Sequence, residues 1–133
     1  VVQLSLDSSE PAQFHYELAQ KLAPLRDEGI FICGSGDLVH NLGLIDWSEK
    51  SGKPEDWAFR FETAARELMT NSDHEGLIEY EKMGADALLA IPTPDHYLPL
   101  IYVQTLQKAG EPISFPAEGF DLGTISMLSV KIG

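Results

Sequence analysis

One stretch in the first third of the chain constrains the fold more than any other. It joins four apolar residues to a glycine-rich turn and a histidine: Ile30, Phe31, Ile32, Cys33, Gly34, Ser35, Gly36 and His40. An uninterrupted apolar run of this length is typical of a strand buried on both faces of a parallel sheet. Because ligands bind at the carboxyl ends of strands in open α/β sheets, His40 is predicted to be a functional residue. The alternative is that His40 only caps a turn or hydrogen-bonds the backbone.

The elements around this stretch predict an α/β fold. Residues 1–6 alternate apolar and polar side chains, which indicates a strand, and Pro11 suits the first position of a helix. The apolar positions of that helix recur every three or four residues, at Phe14, Leu18, Leu22 and Leu25. A strand, a helix and then the strand at residues 30–33 indicate a mixed, largely parallel sheet with helices on both faces.

Further along the chain, helical and extended segments follow one another. Acidic residues after Pro54 begin a helix whose predicted buried face holds Trp57, Phe61 and Leu68. The tail contains an extended piece at residues 111–116 and a last strand at residues 124–130. Since the chain starts within a predicted core strand, we expect residues 1–133 to be the second half of a larger single domain.

The charge balance and the cysteine content exclude several classes of function. The 133 residues include 9 Lys and Arg but 21 Asp and Glu, which gives a net charge of −12. Such a surface repels phosphate backbones and anionic lipids, so neither nucleic acid nor a membrane is expected as a partner. Cys33 is the only cysteine, which prevents an intrachain disulfide and favours a reducing, cytoplasmic location. Within an apolar strand this thiol is predicted to be buried rather than reactive.

A second histidine lies in a stretch that has the features of a helix start. Thr93 is a good N-cap, Pro94 suits the first helical position, and His96 then falls in the first turn. The positive end of the helix dipole disfavours an imidazolium there, and a neutral imidazole is the form that binds metals or accepts a proton. A packing role without further function is the alternative for His96.

Three motifs in a fixed order carry a family resemblance. They are Gly34-Ser35-Gly36 with His40-Asn41-Leu42, then Pro92-Thr93-Pro94-Asp95-His96-Tyr97-Leu98-Pro99-Leu100, then Glu118-Gly119 with Ser126-Met127-Leu128-Ser129-Val130. Together they resemble the class III extradiol ring-cleavage dioxygenases, in the branch of the 4,5-DOPA dioxygenases. The opening of the chain also fits that pattern. The resemblance therefore extends over residues 1–133 as the carboxyl-terminal part of such a catalytic domain.

The resemblance implies a single non-haem metal at the edge of the sheet. Ferrous iron is the expected ion, and zinc is the alternative occupant. His96 matches a metal ligand of this branch, and His40 matches the histidine that does acid–base work beside the metal and sometimes contacts it. The other ligand histidines belong to the family's amino-terminal half, so we expect no turnover from residues 1–133 alone.

The implied reaction is the opening of the ring of a small aromatic diol, a catechol-type substrate, with O2. Ser35 and Gly36 are expected to bind this substrate, because a turn without bulky side chains leaves room for a flat ring. Tyr97 either adds a wall to the substrate site or packs within its helix. His15 also matches the family pattern, and it is expected either in the core or as a support behind the metal ligands.

Two other functions stay open when the residues are considered without the resemblance. One is a zinc-dependent hydrolase, in which Ser35 or a metal-bound water attacks and His40 is the base. The other is a non-enzymatic relative that uses the same fold as an interaction scaffold. The hydrolase requires activity on esters or amides without oxygen, and the scaffold predicts no metal at His40 and His96.

Overall fold

The computed structural model describes all residues, 1–133. Its regular structure is mainly helical, with six α-helices: α1 (Ala12–Gln20), α2 (Ala23–Asp27), α3 (Asp56–Thr70), α4 (His74–Ile78), α5 (Ala85–Ala90) and α6 (Leu98–Thr105). Short 3-10 turns lie at Leu42–Leu44, Tyr80–Met83 and Pro94–His96. None of the helices has both the length and the apolar character that crossing a bilayer requires.

The strands are confined to the last part of the chain and form two small antiparallel sheets. The pairs are β1 (Ile113–Ala117) with β4 (Ser129–Ile132) and β2 (Phe120–Asp121) with β3 (Ile125–Ser126). The register of the first pair shifts between Ser114 and Ala117, where Pro116 has no N–H to donate to the ladder. A single antiparallel bridge between His40 and Ile125 attaches the region of His40 to β3.

Helix α3 is central to the core, and the sequence predicts its position correctly, although Trp57 and Leu68 of the predicted buried face are only partly buried. Its apolar side chains repeat at helical spacing, so Phe61, Ala65 and Met69 are buried together. Asp56 in the first turn interacts favourably with the positive end of the helix dipole. The core continues onto α4, α5 and α6 through Leu77, Ala87 and Ile101.

The predicted parallel sheet is wrong, because the two apolar stretches assigned to it have no strand partner. Residues 1–6 and 30–33 form no ladder, and both sheets of the chain are antiparallel. The side chains are correspondingly exposed, to 96% at Val2 and 88% at Phe31. A strand exists only as one member of a hydrogen-bonded pair, and an apolar run does not supply its own partner. Cys33, predicted to be buried in this strand, is therefore exposed.

The first predicted helix is present, but it is divided into α1 and α2, and α1 buries a different face from the predicted one. Helix α2 begins as a separate helix with Pro24 in its first turn, because proline has no N–H to continue a preceding helix. In α1 the fully buried residues are His15 and Ala19, whereas Phe14 on the expected apolar face is 41% exposed. The side of α1 that enters the core thus carries a histidine.

The helix predicted from Pro94 onward is also interrupted by a proline. Residues Pro94–His96 form a 3-10 turn, and α6 starts afresh at Leu98 with Pro99 in its first turn. At that position the missing N–H of proline breaks no helical hydrogen bond. His96 consequently lies at the end of a short turn directly before a helix.

Candidate active site

His40 and His96 come together although they are distant in the sequence. Their ring centroids lie 5.0 Å apart, with 49° between the ring planes. The main chain fixes His40, because its N–H donates to the Ala90 carbonyl over 3.1 Å and its strand-like bridge reaches Ile125. We call residues 34–40 the glycine segment. Its last residue and the turn ending at His96 thus bring two imidazoles to one place.

The His40 ring is buried, and both of its nitrogens face main-chain carbonyl groups. Nδ1 lies 3.1 Å from the Asp37 oxygen, and Nε2 lies 3.0 Å from the Thr93 oxygen. Burial lowers the pKa of His40; the Thr93 carbonyl opposes this shift, and the nearby His96 adds to it. A neutral imidazole donates to only one of the two carbonyls, whereas an imidazolium donates to both. Burial thus favours the neutral imidazole, and the two carbonyl oxygens are placed to accept hydrogen bonds from an imidazolium.

The His96 side chain is the open member of the pair. It is 56% exposed, and its Nε2 lies 3.5 Å from the nearest carboxylate oxygen of Asp95, which is too long for a good hydrogen bond. Its main chain is fixed, because its carbonyl oxygen accepts the Asp37 N–H over 2.9 Å. A fixed main chain with a free imidazole is suited to a metal ligand or a substrate contact.

Asp37 is a largely buried carboxyl group in the glycine segment that the sequence analysis misses. Its Oδ1 accepts the N–H of Val39 over 3.1 Å, which closes the turn leading to His40. Burial raises the pKa of Asp37 to about 6, against the opposing effects of the Val39 hydrogen bond and His96. An Asp directly after a glycine-rich turn was the available indication, because Asp often hydrogen-bonds the backbone two residues on.

A second buried carboxyl group, Glu62 on α3, lies behind the glycine segment. The Ser126 hydroxyl donates to it, and the same Ser126 oxygen accepts the N–H of Leu128 over 3.1 Å. Burial raises the pKa of Glu62, and the Ser126 hydrogen bond acts in the opposite direction. Helical spacing places Glu62 beside the buried face of α3, but nothing in the sequence indicates its partner.

A cleft of ≈ 930 Å³ lies beside His96, between residues 29–38, α6 and β4. Ser35, Gly36 and His96 are among its lining residues, and Ser35 is exposed in it. Gly36 presents only its main chain, since the His96 carbonyl oxygen occupies the space where a side chain would begin. The room predicted at Gly36 for a flat ring is therefore filled on that side by protein.

Tyr97 lies in the core rather than at the cleft. It is completely buried, its hydroxyl donates to the Leu77 carbonyl over 2.8 Å, and its ring contacts that of Tyr80. Burial raises the pKa of the Tyr97 hydroxyl, which therefore stays a neutral donor. Of the two roles that the sequence leaves open for Tyr97, this buried position supports packing within the core.

His15 is also completely buried, and it connects three parts of the chain. Its Nδ1 lies 3.0 Å from the Tyr102 hydroxyl on α6, and its Nε2 lies 3.0 Å from the Asp7 carbonyl oxygen. The ring thus joins α1 to the segment before it and to the helix that follows His96. Its position behind α6 is compatible with the supporting role expected from the sequence.

Among these residues, one imidazole is accessible to the metal that the family resemblance implies. No group of three or more His, Cys, Asp and Glu side chains converges as a metal site requires. Iron and zinc both bind neutral imidazole nitrogens, and the exposed His96 offers one. The nitrogens of His40 are both directed at carbonyls. His96 therefore fits one ligand of a larger set, and His40 fits a neighbouring acid or base.

Similarity to named proteins shows the family to which the chain belongs. No protein-family model matches the chain. The 4,5-DOPA dioxygenase extradiol of Escherichia coli (strain K12) is 43% identical over 145 residues, which cover 100% of this chain and 49% of that protein. The protein of the same name from Beta vulgaris is 37% identical over 75% of this chain and 37% of its own length. That from Portulaca grandiflora is 31% identical over 98% of this chain and 48% of its own length.

A solved structure agrees with these relatives. An uncharacterized protein from Escherichia coli K12 has a TM-score of 0.88 and 43% identity, over 97% of this chain and 53% of that chain. The resemblance seen in the motifs is thus confirmed, and the chain belongs to the family of these extradiol dioxygenases. It spans about half the length of the E. coli relative, and the matched part is the carboxyl-terminal half.

Proposed function

We propose that this chain is the carboxyl-terminal part of the catalytic domain of a non-haem iron extradiol dioxygenase. Its substrate would be a catechol-type diol, whose ring is opened with O2. The observation that carries the proposal is the 5.0 Å distance between the His40 and His96 rings, with His96 at a cleft. The names of the relatives supply the class of reaction.

In this proposal His96 holds the metal through its exposed imidazole. Bound ferrous iron supplies open positions at which the diol and O2 are brought together. Zinc is the alternative occupant, because it takes the same type of ligand. His96 is suited to this role because its main chain is held by the Asp37 N–H while its ring stays free.

His40 accepts and returns a proton of the diol. Its burial keeps the imidazole neutral before the substrate arrives, and the Asp37 and Thr93 carbonyls stabilise the imidazolium that forms. Because both nitrogens face these carbonyls, taking the proton requires the ring to release one of them. The acid–base role of His40 therefore includes a small change in ring orientation.

The cleft beside His96 provides the contacts for the diol. The exposed Ser35 can hydrogen-bond a substrate oxygen, and Gly36 contributes through its main chain. The cleft is largely apolar toward Pro99 and Val103, which suits the face of an aromatic ring. We therefore retain Ser35 and Gly36 as substrate contacts and leave Tyr97 out.

The remaining metal ligands come from an amino-terminal part of the polypeptide in this proposal. The chain exposes 7820 Å² of surface, whereas a compact monomer of 14.7 kDa exposes about 6,900 Å². The exposed apolar side chains include Leu4, Ile30 and Phe31. An amino-terminal part that covers these side chains would complete one domain together with residues 1–133.

The test uses the full-length polypeptide, loaded with Fe(II) without oxygen and mixed with a catechol before air is admitted. We expect a coloured ring-opened product that forms only with both iron and O2. His96→Ala is expected to abolish its formation, and His40→Ala to slow it by about 10²- to 10⁴-fold. Absence of product from the parent protein, or its persistence in both variants, would contradict the proposal.

The form of the hydrolase alternative in which Ser35 attacks gains no support from the geometry, and the form in which a metal-bound water attacks is decided by activity on esters or amides without oxygen. A serine nucleophile requires a base nitrogen directed at its hydroxyl. Both nitrogens of His40 are directed instead at the Asp37 and Thr93 carbonyls. The scaffold alternative is decided by metal analysis of the full-length polypeptide, since it predicts a protein that retains no metal.

A further inference from the structure

Two glycines of the glycine segment lie against the main chain that carries His96. A Cβ atom on Gly36 would lie 2.1 Å from the His96 carbonyl oxygen, and one on Gly34 would lie 2.7 Å from the Pro99 carbonyl oxygen. Real Cβ atoms essentially never approach another heavy atom to less than 3.0 Å. Neither position therefore accommodates even a methyl group without a shift of the main chain.

Close approach, and not an unusual backbone conformation, explains why these two residues are glycine. Seven other glycines of the chain have a positive φ, but Gly34 and Gly36 do not. An alanine could therefore adopt the same backbone angles at either position. What the chain uses at Gly34 and Gly36 is the absence of the Cβ atom.

The same segment holds the loop before α6 at three points. The Asp37 N–H donates to the His96 carbonyl over 2.9 Å, and the His40 N–H donates to the Ala90 carbonyl over 3.1 Å. Between them, the His40 Nε2 lies 3.0 Å from the Thr93 carbonyl oxygen. The loop is thus fixed at its beginning and its end by the main chain of the glycine segment, and at its middle by the His40 ring.

The His96 carbonyl group has little freedom to withdraw from an added atom at Gly36. The next two residues, Tyr97 and Leu98, are both completely buried. A methyl group on Gly36 must therefore separate the glycine segment from the loop before α6. That separation changes the distance between the imidazoles of His96 and His40.

We propose that Gly36 is a positioning residue that sets the spacing of the His40 and His96 rings through this main-chain contact. Gly34 acts in the same way on the first turn of α6, at Pro99. The chemical consequence rests on the proposed function, because a metal ligand must be held to within about 0.5 Å of its working position. Gly36 thereby acts on the ligand as well as lining the cleft.

The experiment compares Gly36→Ala with Ser35→Ala in the full-length polypeptide. Ser35→Ala is the matched control, because Ser35 is the exposed neighbour and the change adds no atom. The first measurement is the nuclear Overhauser effect between the ring protons of His40 and His96 in metal-free protein. The second is the affinity for Zn(II), measured by competition with a chelator.

Gly36→Ala is expected to remove or strongly reduce the ring-to-ring Overhauser effect and to weaken Zn(II) binding by about 10- to 100-fold. Ser35→Ala is expected to match the parent protein in both measurements. Adding Gly36→Ala to His96→Ala should cause no further loss of Zn(II) affinity, whereas a general loss of structure would weaken binding further.

A second variant covers the case in which Gly36→Ala does not fold. Gly34→Ala has the milder clash, and combining it with Val103→Ala removes the side-chain atom that lies 2.9 Å from the added Cβ. This pair is expected to shift the same ring signals by moving α6.

Ring signals and Zn(II) affinity in folded Gly36→Ala that equal those of the parent would overturn the inference. Unshifted ring signals in the Gly34 pair would overturn it when Gly36→Ala does not fold. A parent protein that binds no Zn(II) would count against the proposed function alone. In that case the Overhauser effect still decides whether Gly36 sets the spacing of the two rings.

Discussion

The Ser126 hydroxyl donates a hydrogen bond to the buried carboxyl group of Glu62, and this bond ties β3 to the middle of α3. The Ser126 N–H also donates to the Val39 carbonyl over 2.9 Å, one residue before His40. Helix α3 therefore supports the glycine segment through a buried polar contact. Because a buried carboxyl group is costly to ionise, this support depends on pH.

Replacing Glu62 distinguishes its hydrogen bond from its charge. Glu62→Gln keeps an acceptor for the Ser126 hydroxyl and removes the ionisable group, so we expect the free energy of unfolding at pH 7 to be unchanged or higher. Glu62→Ala leaves the hydroxyl without its partner and should lower the free energy of unfolding by about 1–3 kcal/mol. Urea unfolding measures both. Equal destabilisation by the two changes would show that the ionised carboxylate itself is required.

Asp37 is expected to make the stability of the fold depend on pH in a defined window. Burial raises its pKa from 3.8 to about 6, so the folded state binds more protons than the unfolded state between these values. The free energy of unfolding should therefore fall as the pH rises from about 4 to about 6 and then level off. Asp37→Asn keeps the acceptor for the Val39 N–H and should flatten this part of the profile.

Urea unfolding of the parent and Asp37→Asn at several pH values between 4 and 7 measures the difference between them. Glu62 also has a raised pKa and contributes a slope of the same sign, so the comparison of the two proteins is the informative quantity. A parent profile that rises with pH relative to Asp37→Asn would contradict the burial of Asp37.

Tyr97→Phe is expected to affect stability and not substrate binding. The change removes the hydroxyl that donates to the buried Leu77 carbonyl, which should lower the free energy of unfolding by about 1–2 kcal/mol. The KM for a catechol in the full-length protein should stay the same, because Tyr97 lies in the core. A raised KM at unchanged stability would restore the substrate contact considered from the sequence.

Replacing His96 and replacing His40 are expected to have different effects on the metal content of the full-length protein. His96→Ala should lose the metal that the full-length protein retains through dialysis, because it removes the accessible imidazole. His40→Ala should retain the metal but lower kcat by about 10²- to 10⁴-fold, the usual contribution of a positioned acid or base. Metal analysis and turnover are measured on the same samples. Equal loss of metal from both variants would make His40 a ligand as well.

The parts of the fold that follow from the sequence are those with local patterns. The repeat of Trp57, Phe61 and Leu68 gives α3, because helical spacing is a property of the segment itself. The strand expected at residues 30–33 fails, because pairing depends on a second segment that the pattern does not describe. The tail segments do find partners: the first forms β1, whereas the single strand predicted at residues 124–130 is divided between β3 and the start of β4.

In the candidate site, too, some residues can be predicted from local sequence patterns and others cannot. His40 and His96 are recognisable from their motifs, but the capping pattern at Thr93 and Pro94 gives a 3-10 turn without a side-chain cap hydrogen bond instead of the predicted helix start. Glu62 is missed because the burial of a carboxyl group depends on what packs around it. The role of Gly36 is missed for a related reason: a glycine in a sequence does not say which main chain will approach it.

The exposed Ile30 and Phe31 have a consequence for handling this polypeptide. An apolar stretch whose backbone groups lack a ladder is a template for strand addition by another molecule. Residues 1–133 produced alone should therefore self-associate as their concentration rises. Phe31→Lys, which places a charge on the open edge, should raise the concentration at which light scattering first appears. Unchanged scattering would show that another surface causes the self-association.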